Sequence, residues 1–144
     1  MNSEEIEIKV IVAVDRIAVK RLYQDAGWWE ENDETADGCA WIDDLVKQSF
    51  CFVGAFCGAE LIGMGRAVSD GVSDAYIQDV VVFKKFRRAG IGNKIIEKII
   101  QFLQLRRIGW IALIAEPGTQ QFYMRLGFIP MAGYSPMLLK KNLA

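Results

Sequence analysis

Val80-Val81-Val82-Phe83-Lys84-Lys85-Phe86-Arg87-Arg88-Ala89-Gly90-Ile91-Gly92-Asn93 is the stretch on which the fold turns. Its first four residues are β-branched or aromatic and predict a buried strand. A basic turn with two glycines follows. Beyond it, Ile91, Ile95, Ile96, Ile99, Ile100, Phe102 and Leu103 recur at helical spacing, with Asn93, Lys94, Glu97, Lys98 and Gln101 between them. The unit is therefore strand, turn, amphipathic helix. Gly90 and Gly92 have no Cβ and let the backbone bend tightly near a ligand. The free N–H groups of a helix start carry the positive end of its dipole and attract an anion. Arg87 and Arg88 add two cations. Such a turn suits a pyrophosphate.

The spacing excludes two common nucleotide loops. A dinucleotide fingerprint needs a third glycine three residues after Gly92, where Ile95 stands, and a P-loop needs Gly-Lys-Ser/Thr, whereas Gly92 is followed by Asn93. What remains is Arg-x-x-Gly-x-Gly, formed by Arg87, Gly90 and Gly92. Further along, Phe122-Tyr123-Met124-Arg125-Leu126-Gly127-Phe128 forms a second compact motif.

The 144 residues, 52% of them apolar, fit one folded domain over 1–144. A net charge of −1 gives no global pull toward nucleic acid or membrane, and no apolar run reaches the roughly 18 residues that span a bilayer. The acidic start Met1-Asn2-Ser3-Glu4-Glu5 lacks the layout of a secretory signal. Cys39, Cys51 and Cys57 contain no CxxC pair, which indicates free thiols in a reducing cytoplasm and no zinc site. There is no histidine, so the usual general base is missing.

Alternation of Ile6, Ile8, Val10 and Val12 predicts a strand over 5–12. Asp15 is placed to cap a helix over 16–26, and a second helix is expected over 35–47. Residues 50–56 and 60–68 read as a hairpin turning at Gly58, and 75–83 as a further strand. The long helix covers 90–104, an apolar strand 110–115, and a short helix capped by Thr119 runs to 126. Residues 128–131 and 137–141 are expected to close the sheet as a last strand pair. A strand–helix–strand unit from 75 to 115 should be parallel and right-handed. The remaining pairs should be antiparallel. The fold class is mixed α/β, with a mostly antiparallel central sheet, one parallel unit and helices on both faces.

The two motifs and this element order resemble the GNAT superfamily of acyl-CoA N-acyltransferases. That family has a Gln/Arg-x-x-Gly-x-Gly/Ala pyrophosphate loop and a later Phe-Tyr-x-Lys/Arg-x-Gly-Phe segment. The resemblance implies acetyl-CoA as cosubstrate, lying between the fourth and fifth strands, with no metal. Backbone groups of Val80, Val81 and Val82 would bond the acetyl carbonyl and pantetheine arm. Amides from Arg88 through Ala89, Gly90, Ile91 and Gly92 to Asn93 would hold the pyrophosphate beside Arg87. Thr119 stands where many relatives carry an asparagine for the same arm. Tyr123 occupies the position of the family's usual general acid. A phenol is a suitable proton donor to a departing thiolate.

Gln78 and Asp79 precede the valines, where many relatives place an acid that takes the amine's proton directly or through water; Asp79 is the catalytic candidate there, and Gln78, which cannot accept a proton, a substrate contact. The run Ile77–Val82 is similar to glucosamine-phosphate N-acetyltransferases, with Gln78 in place of the first of two acids. Successive strand residues point to opposite faces, so Asp79 need not face the acetyl group if Gln78 does. Trp28 and Trp29, followed by Glu30, Glu31, Asp33 and Glu34, fall where the family builds its acceptor pocket, and aromatic faces with acids suit a cationic amine. The expected activity is acetyl transfer to the primary amine of a small molecule. Acetylation of protein N-termini and non-catalytic acyl-CoA binding are the alternatives. A homodimer is a further expectation, with 128–131 and 137–139 as contact segments.

Overall fold

Asp15 begins the first helix as its sequence position predicts: its carboxylate accepts the N–H of Ile17 at 3.1 Å, satisfying one of the orphan donors of the first turn. In the computed structural model, which describes residues 5–29 and 39–140, that helix is α1 (Arg16–Asp25), after strand β1 (Ile6–Val10). Then come α2 (Trp41–Gln48), β2 (Cys51–Cys57), β3 (Glu60–Ser69) and β4 (Asp74–Val82). A single 3₁₀ turn (Lys84–Phe86) leads to α3 (Ile91–Leu105), β5 (Trp110–Leu113) and α4 (Gln120–Arg125). The expected helix at 35–47 is seen from Trp41, and residues 35–38 lie outside the described residues.

The sheet runs β1-β2-β3-β4-β5 in chain order. The first three pairings are antiparallel and β4–β5 is parallel, as the strand–helix–strand pattern requires. Gly58, at φ 61°, turns the hairpin between Cys57 and Glu60. Alternation along β3 then divides the core. Gly63 and Gly65 face α3, and a Cβ on Gly65 would lie 2.8 Å from Ile95 Cγ2 and 3.1 Å from Ile99 Cδ1. The two glycines thus let α3 settle close to the sheet, with Ile95, Ile96, Ile99 and Leu103 wholly buried. Met64, between them, faces the other way into a cluster with Val19, Leu22, Ile42, Val46, Phe52 and Val81. Each such side chain contributes about 1.5–3 kcal/mol on burial. Helices therefore cover both faces.

The chain divides into two compact units, Met1–Leu113 and Ile114–Ala144, each described by itself. In the second, α4 ends at Gly127 (φ 102°), where Phe128 N–H donates to Tyr123 C=O at 3.2 Å. The expected closing strand pair is not formed among the described residues. Residues 128–140 instead carry a turn at Gly133 (φ 83°), with Tyr134 N–H on Met131 C=O at 3.1 Å. Pro130 and Pro136 have no N–H to give a ladder, and apolar side chains alone do not make a strand without a partner edge. Ile129, Met137, Leu138 and Leu139 are exposed.

Candidate functional site

The loop after β4 is assembled from backbone contacts. Phe83 N–H donates to Ile62 C=O at 2.9 Å, and Lys84 N–H donates to Asp25 Oδ2 at 2.9 Å, tying the strand end to β3 and α1. Arg87 folds back, its Nε donating to Val82 C=O at 3.3 Å. Arg88 (φ 69°) and Gly90 (φ 76°) are both left-handed, and Gly90 is the N-cap of α3. Having no side chain, Gly90 offers the helix start nothing to bond. The amides of Ile91, Gly92 and Asn93 precede the first intrahelical bond, from Lys94 N–H to Gly90 C=O at 3.2 Å. Lys84, Lys85, Arg87, Arg88 and Ala89 are exposed around them, and no acid occurs from Phe83 to Ile96. Donors, dipole and cations agree in sign. The loop fits a pyrophosphate.

Before the loop, β4 has an edge with no strand paired to it among the described residues. It pairs with β5 only over Asp74–Ile77 against Trp110–Leu113, although β4 runs on to Val82. From Gln78 through Asp79, Val80 and Val81 to Val82, the edge turned away from β3 has no β5 partner. An extended, amide-bearing chain can add to such an edge as a strand.

The same place holds a kink. Met64 pairs with Val81 but Arg66 with Gln78, so Gly65 faces both Asp79 and Val80, and Asp79 has φ 55°. This β-bulge overturns the expectation that Gln78 and Asp79 point to opposite faces. Arg66 reaches both: Nε donates to Asp79 Oδ2 at 2.7 Å, and Nη2 donates to Gln78 Oε1 at 3.2 Å. Tyr23 of α1 donates its hydroxyl to the same Oδ2 at 3.2 Å. Burial, then the Asp79 charge, pushes the Tyr23 phenol far above its ordinary range, so it stays a neutral donor.

Around Tyr23 lies an aromatic group. Its ring centroid is 5.6 Å from that of Trp28 and 6.2 Å from that of Trp41, while Trp29 stacks on Trp41 at 5.2 Å. Trp28 and Trp41 remain 39% and 47% exposed, enough to meet a ligand. Trp29 is different: it packs on the core, and the buried Lys20 ammonium sits 5.2 Å from its ring centre. Glu30, Glu31, Asp33 and Glu34 lie outside the described residues. Tyr23, Arg66 and Trp41 do not stand out in the sequence as site residues. For Arg66 a signal exists, since a charge inside an otherwise apolar strand is rare unless paired. For Tyr23 and Trp41 there is none.

In the second unit, Tyr123 lies half-buried on α4, edge-on to Phe122 at 4.9 Å and to Phe128 at 5.9 Å. Burial first, and the Glu116 charge second, raise its phenol above the ordinary value, so it is protonated at neutral pH. Thr119 precedes α4 as expected, but its hydroxyl donates to Glu116 C=O at 2.7 Å instead of capping the helix.

A model of the acetyltransferase (GNAT) family matches residues 13–128. The chain belongs to that family. An uncharacterized N-acetyltransferase, ycf52, of Pyropia yezoensis is 42% identical over 71 residues, covering 49% of this chain and 41% of that protein. The chain spans less than half the length of such curated GNAT relatives. Among solved structures, a GNAT-family acetyltransferase of Streptococcus pneumoniae has a TM-score of 0.77 at 24% identity, covering 96% of this chain and 99% of that one. An aminoglycoside N-acetyltransferase in complex with CoA has a TM-score of 0.73 at 14% identity, covering 96% and 95%. At these identities the two structures share the GNAT fold.

Proposed function

We propose that this GNAT chain is an acetyl-CoA-dependent N-acetyltransferase acting on the primary amine of a small molecule. One observation carries the reading. The open β4 edge, residues 78–82, runs without a break into a basic, uncapped helix start. Together they suit a ligand with an amide-bearing arm joined to a pyrophosphate, which describes CoA. The CoA complex of the aminoglycoside enzyme, on the same fold, supports that choice of donor. Amides at Arg88–Asn93 hold the pyrophosphate, and backbone groups of Val80, Val81 and Val82 meet the arm and the acetyl carbonyl.

The amine attacks that carbonyl in its uncharged form; an N–C bond forms, the C–S bond breaks, the nitrogen gives up its proton to water, and the thiolate leaves as the thiol, with Tyr123 assigned as its proton donor from its motif. A phenol kept neutral by burial arrives with its proton in place. For the acceptor, the exposed faces of Trp28 and Trp41 favour a cationic amine, and Gln78 lies on the same face of the sheet as the Asp79 carboxylate.

The test is a calorimetric titration with acetyl-CoA, followed by a screen of small amines. Gly90→Trp puts an indole over the helix start and forces a left-handed residue to carry a side chain. It should weaken binding by about a hundredfold or more. Tyr123→Phe should bind acetyl-CoA as wild type does and lose about 10²–10⁴-fold in kcat, the usual worth of a general acid. Wild-type turnover in Tyr123→Phe removes the acid role. Tight binding with no turnover on any amine points to a binding module instead.

A further inference from the structure

The kink in β4 falls on a residue that does not adopt it freely. Asp79, at φ 55°, is left-handed, a region that glycine occupies at no cost and aspartate only with help. A backbone of this kind persists when its surroundings over-determine it. Here most of the help comes from the side chain that also reaches the neighbouring residue. Arg66, paired across the ladder with Gln78, bonds Gln78 Oε1 through Nη2 and Asp79 Oδ2 through Nε. A regular strand sends consecutive side chains to opposite faces. One guanidinium therefore holds both of these only when β4 is kinked. In a regular β4 one of the two hydrogen bonds breaks, so Arg66 binds the two backbone forms unequally and shifts their populations.

The position of the kink gives this shift a consequence. Parallel pairing with β5 stops at Ile77, directly before the pair of residues that Arg66 grips. A bulge bends its strand and increases its twist. The open edge at 78–82 begins where the bend does.

We infer that Arg66 is a positioning residue for acyl-CoA: through Gln78 and Asp79 it holds β4 in the kinked form whose free edge receives the cosubstrate. Tyr23, donating to the same Oδ2 from α1, supports it. Neither Arg66 nor Tyr23 needs to touch the ligand. The inference rests on the acyl-CoA reading above and adds the device that keeps the site open.

The experiment uses glycine to replace the device. Arg66→Met removes the hydrogen bonds to Gln78 and Asp79, together with the longer one to Ser49 Oγ at 3.5 Å, and leaves volume. It should speed amide hydrogen exchange across Gln78–Val82 in the free protein and weaken acetyl-CoA binding about tenfold, the scale on which one left-handed residue shifts a two-state population. Adding Asp79→Gly to Arg66→Met removes the carboxylate that has lost its arginine and lets the backbone take φ > 0 freely. It should return both readouts to within about threefold of wild type. Adding Asp79→Ala removes the same charge without that freedom, and should not. Circular dichroism melts of each variant keep the dissociation constants referred to folded protein.

Wild-type exchange and affinity in Arg66→Met overturns the inference. So does equal rescue by alanine and glycine, because charge removal then explains everything. A wild type that does not bind acetyl-CoA overturns the proposed function. The exchange pattern needs no ligand, so it tells that failure apart from loss of the Arg66 clamp.

Discussion

Gly90 and Asp79 stand at opposite ends of one strand–turn segment, and both have left-handed backbone, at φ 76° and φ 55°. They reach it by different routes. At Gly90 the residue type supplies the conformation, and an added Cβ would meet no atom within 4 Å, so no packed neighbour forces that backbone angle. At Asp79 the conformation is imported. A guanidinium 13 residues back in the chain lies 2.7 Å away, and a phenol 56 residues back lies 3.2 Å away. A bend can be written into one residue or imposed by its neighbours, and each kind fails differently when mutated.

Alanine at each position separates the two. Asp79→Ala should cost the more, about 2–3 kcal/mol, because it strains the backbone and strips the acceptor from two partly buried donors. The Arg66 and Asp79 side chains keep 14% and 29% exposure, and water repays part of the loss, which holds the figure below that of a fully buried pair. Gly90→Ala should cost about 1–2 kcal/mol, the intrinsic penalty of left-handed alanine, since no neighbouring side chain depends on this position. Asp79→Asn should fall lowest, near 1 kcal/mol, since asparagine tolerates the conformation and still accepts a hydrogen bond. Urea unfolding of the three variants gives the order. A Gly90→Ala loss larger than that of Asp79→Ala would mean that the loop, and not the kink, is held by its surroundings.

The same contrast explains which features are legible in the sequence. The loop is legible because Arg87, Gly90, Gly92 and the isoleucine spacing of α3 are contiguous, and their physics is local. Asp15 as a cap and Gly58 as a turn are legible for that reason too. The kink is not. Period-two alternation puts Gln78 and Asp79 on opposite faces, and only the pairing of Arg66 and Tyr23 with β4 reverses it. The aromatic group is half legible: Trp28 and Trp29 stand out as neighbours, but Trp41, which stacks on Trp29, lies across a chain segment whose path no local pattern gives. The closing strands fail for a related reason. Residues 128–131 and 137–141 resemble strands through their apolar content, but a ladder needs N–H donors and a partner, and the prolines withhold the first.

Tyr123 supplies a third case and the smallest expected effect. Its phenol is raised by burial, which no single residue controls, and by Glu116, which is close in sequence and separately removable. A general acid works while protonated, so raising its pKa extends activity upward in pH, and the rate falls only as pH climbs past the raised value. Glu116→Gln deletes the lesser of the two causes. The basic limb should then move toward lower pH, with burial still holding it above the ordinary tyrosine range. Difference absorbance of tyrosinate, taken against Tyr123→Phe to remove Tyr23, Tyr76 and Tyr134, follows the group without an acceptor amine. An unmoved titration would assign the whole shift to burial. A limb that falls to the ordinary value would make Glu116 the principal cause, and the proton held on Tyr123 would then be set by a residue close to it in sequence, as the turn at Gly90 is set by its glycine.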